Sequence, residues 1–230
     1  MTRVAAAALL AVAAGCAGRQ PAPATGPPGL SQPPGTASPA DAAALADRAR
    51  AAVRRLEHED HGPAREALVA EAVEAGRGCQ AVAPGMASCD YALALALGVE
   101  ARQHPSGALP RLAEMVRLLR SADGQEPRLD QGGPSRVLAI LLVRAPGWPL
   151  GPGDPEAALE AARRAVGLAP DFAPNQLALA EALRASQDQA GAEDAARRAV
   201  ALARAAAAAG EPDAAGWLRD GERWLAGPSR

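Results

Sequence analysis

Apolar side chains recur at helical spacing along most of the chain after residue 40, and runs that alternate apolar and polar side chains are nearly absent. In the segment 109–120, the side chains of Leu109, Leu112, Val116 and Leu119 share one helical face. The segment 135–143 is apolar on all sides, which predicts a buried helix. The pattern predicts helices at 41–57, 63–75, 91–103, 109–120, 135–143 and 213–225.

Ten residues in the C-terminal half of the chain occur twice. The sequence at 160–169 recurs at 194–203, with eight of ten positions identical and an offset of 34 residues. A helix–turn–helix unit of this length cannot bury its own apolar face, so successive copies must stack on one another. The repeat therefore predicts a stacked array of helix pairs, which is clearest over residues 134–204.

The composition supports the same fold class. Aromatic residues make up only 2% of the chain, so alanine and leucine must supply the packing. Alanine has the highest intrinsic helix propensity, and its small side chain lets helices approach closely. Sheets favour β-branched and aromatic residues in short runs, and such runs are scarce here. The expected fold class is all-α.

Small residues and a proline occupy matching positions in the two copies of the repeat. Ala158, Ala165 and Pro170 belong to the first copy, and Ala192 and Ala199 belong to the second. These positions resemble the tetratricopeptide (TPR) family, in which small residues lie where adjacent helices touch and a proline ends the second helix. The resemblance implies an all-α, TPR-like helical repeat array, or α-solenoid.

The C-terminal segment 213–225 carries Trp217 and Trp224 seven residues apart, so both side chains share one helical face. A tryptophan pair at this spacing is typical of a helix that packs on the last repeat. We therefore expect a C-terminal capping helix there rather than a ligand site.

Proline and glycine are dense on both sides of the predicted helix 135–143. Gly132-Gly133-Pro134 precedes it, and the segment 144–154, which contains Trp148, follows it with a composition that excludes a helix. Together with the helix pair and Pro-Asn turn that come next, this arrangement is similar to the TPR lipoproteins of the TRAP-transporter-associated (TatT) type over about residues 130–202. The resemblance implies a periplasmic, oligomeric protein that assists the substrate-binding protein of a solute transporter.

The N-terminal residues have the pattern of an export signal. Arg3 precedes an apolar run, 4–14, that is much shorter than the ~20 residues of a membrane-spanning helix. The run ends in Ala-Ala-Gly-Cys16, which resembles the lipobox of bacterial lipoproteins. The resemblance implies cleavage after a signal peptide at 1–15 and a covalent lipid on Cys16. An ordinary secretory signal, cut at a nearby Ala-x-Ala site, is the alternative.

The segment 16–40 is rich in proline and predicts an extended tether ahead of a helical domain at 41–230. Ala17, rather than aspartate, follows the cysteine. By resemblance to Gram-negative lipoproteins, this residue implies attachment to the outer membrane, facing the periplasm. The expected location is the cell envelope.

Cys79 and Cys89 enclose a short predicted loop, 80–88, between two helical segments. In an oxidising compartment, two cysteines at this spacing favour a disulfide. Two free buried thiols, or half of a metal site, are the alternatives.

Motifs for catalysis or cofactor binding are absent from the sequence: it contains no P-loop, dinucleotide fingerprint, nucleophile elbow or HExxH. His58 and His61 stand among acidic residues, but a solvated helix end explains them better than a metal site. The net charge of −2, without a basic stripe, argues against nucleic acid. We expect neither an enzyme nor a cofactor, apart from the lipid on Cys16.

The leading functional hypothesis is a membrane-anchored scaffold that binds a protein or peptide in the cell envelope. The first helices of TPR repeats line the concave face, which makes Asn175, Gln176 and Glu181 candidate contacts together with Trp148. Alternatively, Trp148 fills a gap between helices. A second hypothesis is an accessory solute-binding component of a TRAP-type transporter, with a cavity near Trp148. A third is a structural envelope protein, which needs only the tether and an oligomer.

We expect the Cys16→Ser replacement to release the protein from the membrane fraction, because the thiol is the predicted attachment site. The wild-type chain extracted from membranes should begin at Cys16 and carry acyl mass. Intact mass spectrometry of the two proteins, side by side, measures both properties. A wild-type chain that carries no lipid and is cut elsewhere contradicts the lipid anchor.

Overall fold

The computed structural model describes residues 38–56, 59 and 62–227. The predicted signal peptide at 1–15, the lipid site Cys16 and the two histidines His58 and His61 lie outside the described residues, as does nearly all of the predicted tether. In the described part, all regular structure is helical except one isolated β-bridge. The helices are α1 Pro39–Arg55, α2 Pro63–Val82, α3 Ala87–Gln103, α4 Ala108–Gln125, a 3-10 turn Leu129–Gln131, α5 Gly133–Arg144, α6 Pro155–Leu168, α7 Ala173–Ala185, α8 Gln189–Ala208 and α9 Ala214–Ala226.

The helices pack as consecutive antiparallel pairs. Helix α1 pairs with α2, α3 with α4, α5 with α6, and α7 with α8, and the first helices also touch one another where α1 meets α3 and α5 meets α7. Helix α9 packs on α8 and touches α7. The fold is therefore an all-α helical repeat array that ends in a capping helix, which confirms the predicted fold class.

Helix α1 begins at Pro39, one residue before the predicted end of the tether at residue 40. The Ser38 hydroxyl accepts a hydrogen bond from the Asp41 N–H at 3.3 Å, and the Asp41 carboxylate accepts one from the Ser38 N–H at 2.7 Å. The Ser38 N–H and the Ser38 hydroxyl both donate to the Asp41 carboxylate, which lowers the pKa of Asp41 below its usual value. Pro39 occupies the first turn, where its missing N–H costs nothing. The reciprocal capping explains why the helix starts inside the proline-rich segment.

The two copies of the ten-residue repeat lie in the second helices of successive pairs, α6 and α8. The small residues that mark them are all buried: Ala158, Ala165 and Ala192 are 0% exposed and Ala199 is 2% exposed. A larger side chain at these positions would push the helices apart, because protein interiors leave little free volume. The predicted close contact of the helices at these residues is confirmed.

The largest cluster of buried apolar side chains joins α3 and α4 to α5 and α6. Its centre is formed by four leucines, Leu93, Leu97, Leu118 and Leu119, each no more than 1% exposed. Helices α2, α3 and α4 are longer than predicted. Helix α2, for example, continues past residue 75 through Gly76, which is buried against Leu93.

Cys79 and Cys89 form a disulfide, with the sulfur atoms 2.01 Å apart and the Cα atoms 5.3 Å apart. The predicted loop at 80–88 is wrong in extent, because both cysteines lie within helices: Cys79 near the end of α2 and Cys89 in the first turn of α3. Both are 0% exposed and pack among alanines of α1, α2 and α3. The covalent bond thus joins the first helix pair to the second.

We expect the double replacement Cys79→Ala/Cys89→Ala to lower the free energy of unfolding by ~2–3 kcal/mol, because the disulfide closes a short loop in the unfolded chain. Urea denaturation followed by circular dichroism measures this loss. The wild type treated with a reductant should fall to the stability of the variant, whereas the variant should not respond. Equal stability of the two proteins without reductant contradicts the prediction.

Candidate binding groove

An open groove of about 820 Å³ lies between the first helices α5 and α7 and the capping helix α9. We call it the α5–α9 groove. Each helix contributes one stripe of side chains at helical spacing. The main side chains are Arg136, Ile140 and Arg144 from α5; Pro174, Leu177, Glu181 and Arg184 from α7; and Trp217, Asp220, Arg223 and Trp224 from α9.

The prediction that the helix at 135–143 is buried on all sides is wrong. Arg136 and Ile140 are half-buried and Arg144 is exposed, so one face of α5 is open to the groove. These three residues stand four apart, which places them on one face. Leu138, Ala139 and Leu142 are buried on the other side of α5 and pack in the largest apolar cluster.

Arg136 stands at the centre of a polar network beneath the groove. Its Nη2 donates to the Asp130 carboxylate at 2.7 Å, and its Nη1 donates to the Asn175 side-chain oxygen at 3.1 Å. The Tyr91 hydroxyl donates to the same Asp130 oxygen at 2.6 Å. Burial raises the pKa of Tyr91 well above its usual value, so the phenol keeps its proton. The guanidinium also lies over the Phe172 ring, 5.1 Å from its centroid.

The network also holds an unusual stretch of backbone. Residues 130–132 have φ angles of 49°, 56° and 83°, all in the left-handed region that residues other than glycine rarely adopt. Arg136 Nη1 donates to the Asp130 carbonyl at 3.1 Å, and the Asn175 amide donates to the Gln131 carbonyl at 2.9 Å. The next residue, Gly133, lies against Tyr91, because an added Cβ would be 2.5 Å from the phenol oxygen.

Two of the predicted partner contacts lie in the interior. Asn175 is 0% exposed, and besides Gln131 its amide donates to the carbonyls of Ala165 at 2.9 Å and Ala169 at 3.1 Å. Gln176 is 4% exposed and donates to the Pro170 carbonyl at 2.8 Å. Both side chains bond backbone carbonyls at the end of α6 and in the turn that follows, and the Ala165 carbonyl also accepts the N–H of Ala169. The prediction that they face a partner is therefore wrong.

Glu181 does line the groove. It accepts hydrogen bonds from Arg144 Nη2 at 2.6 Å and Arg144 Nε at 3.1 Å. Such a two-point pair fixes the orientation of both groups as well as their distance. The pair forms the edge of the groove nearest the end of α5.

The opposite wall is aromatic. Trp217 meets Phe172 edge to face, with ring centroids 5.0 Å apart, and Arg184 lies over the Trp224 ring at 4.6 Å from its centroid. Helix α9 packs on α8 as expected of a cap, but its two tryptophans also line the groove, which the sequence reasoning missed. The spacing of seven residues puts both tryptophans on one face of α9. This spacing, on a helix beside the exposed face of the first helices, could have indicated that they line the groove.

The groove carries an excess of positive charge. Four arginines and two carboxylates leave its lining with a formal charge of +2. Arg144 is paired with Glu181, Arg223 with Asp220 at 3.0 Å, and Arg136 with Asp130. Arg184 lies over Trp224 and forms no ion pair with any carboxylate in the part of the chain that the structure describes. It is available to an anionic group in the groove.

Trp148 lies outside the groove and is 90% exposed. The alternative that it fills a gap between helices is therefore wrong. A second, apolar pocket of about 260 Å³ lies between α3, α4 and α5 and shares Ile140 and Arg144 with the groove. Trp148 lines neither pocket, so the cavity expected beside it for a small solute is not found at these two sites.

Within residues 38–56, 59 and 62–227, no cluster of three or more histidine, cysteine or acidic side chains is arranged to hold a metal. No helix in the same residues is long and apolar enough to span a membrane. No protein-family model matches the chain, and no curated protein matches it significantly. The functional argument therefore rests on the groove and its neighbours.

We expect Asn175→Ala to lower the free energy of unfolding by about 2–3 kcal/mol, because it removes a buried amide that donates to three backbone carbonyls and accepts a hydrogen bond from Arg136. Thermal or urea denaturation measures the change. Gln189→Ala is the matched control, since its exposed amide bonds only Glu193, and it should change stability by less than about 0.5 kcal/mol. Similar effects of the two replacements contradict the structural role of Asn175.

Proposed function

We propose that this chain is a membrane-anchored periplasmic scaffold that binds an extended segment of a partner protein in the α5–α9 groove. The proposal rests on three features of the α5–α9 groove. The groove is open, one of its walls is aromatic, and its Arg184 has no acidic partner within the described residues. The volume of the groove falls within the range of about 300–1,000 Å³ common for ligand sites. Tryptophan and arginine are the residue types that contribute most to binding at protein interfaces.

The charge of the groove favours an acidic segment. The guanidinium of Arg184 is held over Trp224, where it can accept a carboxylate without first breaking an ion pair. The uncompensated charge of Arg184 also attracts an acidic chain at longer range, an effect that salt weakens. Leu177 and Pro174 supply apolar floor between the charged edges. A peptide with carboxylates and bulky apolar side chains matches both features.

The chemistry of the lining supports binding rather than catalysis. The residues that form the α5–α9 groove include no serine, threonine, cysteine or histidine. Its two carboxylates, Glu181 and Asp220, are each held by an arginine. A site built for nucleophilic catalysis would bring a nucleophile and a base together within hydrogen-bonding distance. We therefore assign the groove a binding role.

The proposed location rests on the export pattern at the N-terminus and on the disulfide. A disulfide between Cys79 and Cys89 is typical of an oxidising compartment such as the periplasm. The lipid on Cys16 would hold the protein at the outer membrane, and the proline-rich segment would allow it to reach partners. The substrate-binding protein of a transporter is one partner of this kind, and a second copy of the chain is another.

A second candidate function is that of an accessory solute-binding component of a TRAP-type transporter. The observation in its favour is the apolar pocket of about 260 Å³, which is large enough for a small molecule and adjoins the groove at Ile140 and Arg144. Neither the α5–α9 groove nor the apolar pocket gives specific support to the third candidate, a structural envelope protein.

The test is fluorescence anisotropy with labelled peptides of equal length that are acidic, neutral or basic and carry the same apolar residues. We expect the acidic peptide to bind the wild type most tightly. Arg184→Glu should weaken its binding at least about tenfold, equivalent to about 1.4 kcal/mol, because it puts a repelling charge inside the groove. Adding salt should weaken binding to the wild type as well.

Arg163→Glu is the matched control. Arg163 lies exposed on α6 outside the groove, and its replacement changes the net charge by the same amount. Its affinity for the acidic peptide should stay within about twofold of the wild type, which is less than half a kcal/mol. Equal losses in the two variants would show attraction by net charge alone. Failure of all three peptides to bind would overturn the peptide-binding proposal.

A further inference from the structure

The connection between α5 and α6 displays two large apolar side chains to solvent. We call residues 145–153 the Pro-Trp loop. Trp148 is 90% exposed and Leu150 is 71% exposed, whereas the other exposed large apolar side chains among the described residues, Leu109 and Leu225, reach only 45% and 39%. Folding normally hides a tryptophan at least partly. An exposed pair on one loop, two residues apart, therefore indicates a surface that meets something apolar.

Few backbone N–H groups of the Pro-Trp loop depend on water for a hydrogen-bond acceptor. Pro146, Pro149 and Pro152 have no N–H group. The N–H groups of Leu150 and Gly151 donate to the Gly147 carbonyl at 3.0 and 3.1 Å, and Gly153 donates to the Pro146 carbonyl at 2.8 Å. Of the five N–H groups in residues 146–153, three are thus satisfied inside the loop. This property lowers the cost of moving the loop into the interfacial layer of a membrane, where free backbone donors find less water than in bulk solvent.

The loop is also held in one conformation. Gly147 and Gly153 form a parallel bridge, and the Asp154 N–H donates to the Leu142 carbonyl of α5 at 3.1 Å. At Gly151, an added Cβ would lie 2.7 Å from the Pro146 carbonyl oxygen, so the loop closes on itself at a position where only glycine fits. The two apolar side chains are therefore presented without an ordering cost at the moment of contact.

The charges around the Pro-Trp loop favour a lipid surface over a charged protein surface. No residue from 145 to 153 is ionisable. On one side Arg144 is paired with Glu181, and on the other Asp154 accepts hydrogen bonds from the N–H groups of Glu156 and Ala157. Tryptophan combines an apolar body with one N–H donor and is enriched where membranes meet water.

We infer that the Pro-Trp loop is a membrane-contact site whose occupant is the interfacial layer of a lipid bilayer, with Trp148 and Leu150 as the inserted side chains. This goes beyond the groove function and rests on the proposed membrane attachment only for bringing the loop to the bilayer. Two side chains alone bind weakly. A tethered protein gains from them because the tether makes the contact intramolecular.

The experiment supplies its own tether, so that it does not depend on lipid at Cys16. The chain from Ala17 onward, which contains every described residue, carries an N-terminal hexahistidine tag and is held on phosphatidylcholine vesicles with a nickel-chelating lipid. Trp217→Phe and Trp224→Phe leave Trp148 as the single tryptophan of the chain. Circular dichroism checks that this variant folds, and Trp148→Phe in the otherwise unchanged chain reports the same contact by difference.

We expect Trp148 emission to move to shorter wavelength on the vesicles and to be quenched by brominated phosphatidylcholine. Imidazole, which releases the tag, should reverse both effects. Leu150→Ser should reduce the quenching, whereas Leu225→Ser, which removes an exposed leucine on α9, should not. Because the insertion is apolar, replacing part of the lipid with phosphatidylglycerol should leave the quenching unchanged.

Emission that stays unchanged on vesicles that hold the protein would overturn the inference. So would quenching that requires phosphatidylglycerol, because that result indicates attraction of charges rather than insertion. An emission shift that appears only at high protein density, without quenching by brominated lipid, would overturn the inference and assign the loop to contact between copies of the chain. The outcome is separable from the groove, since Arg184→Glu should not affect the emission of Trp148 on vesicles.

Discussion

The ion pair between Arg136 and Asp130 is the interaction on which the central part of the array depends. The arginine side chain is 11% exposed and that of Asp130 is 40% exposed, so the guanidinium is shielded from water whereas the carboxylate is partly open to it. Through it, the 3-10 turn before α5 is bound to Tyr91 of α3 and to Asn175 of α7. Removing Asp130 would leave the shielded guanidinium without its carboxylate, which is more costly than losing an ion pair that is exposed on both sides. Arg136 is also part of the groove wall, so its ion pair with Asp130 helps to determine the shape of the groove.

The remainder of the array is stabilised by many small contributions. An alanine buries little apolar surface, so close helix contacts in an alanine-rich core give less hydrophobic stabilisation for each residue than leucine would. Three other devices add to them: the disulfide between the first two helix pairs, side-chain caps at Ser38, Asp154 and Asp188, and ion pairs between successive helix pairs. Arg77 pairs with Glu114, and Arg144 with Glu181, in each case across 37 residues.

The sequence predicts the parts of the structure that depend on local pattern. The helices, the stacking of the 34-residue copies, the buried alanines and the irregular segment before α6 follow from spacing and composition alone. The network around Arg136 does not, because Asn175 and Tyr91 lie 39 and 45 residues away from it and are brought to it only by packing. The same limit explains the errors at Asn175 and Gln176. They start a first helix, but whether that turn faces the groove or the end of α6 depends on how the pairs rotate against each other.

The glycine that follows the left-handed turn constrains how this array can change in length. The C-terminal copies resemble one another closely enough that a helix pair could be duplicated or lost there with its contacts largely kept, which is how repeat proteins grow. The boundary between α4 and α5 has no such freedom. Only glycine fits at position 133 against Tyr91, and Asp130 accepts hydrogen bonds from both Tyr91 and Arg136, so these residues must be inherited together. Lineages of this protein should therefore vary in repeat number toward the C-terminal end and keep the central junction unchanged.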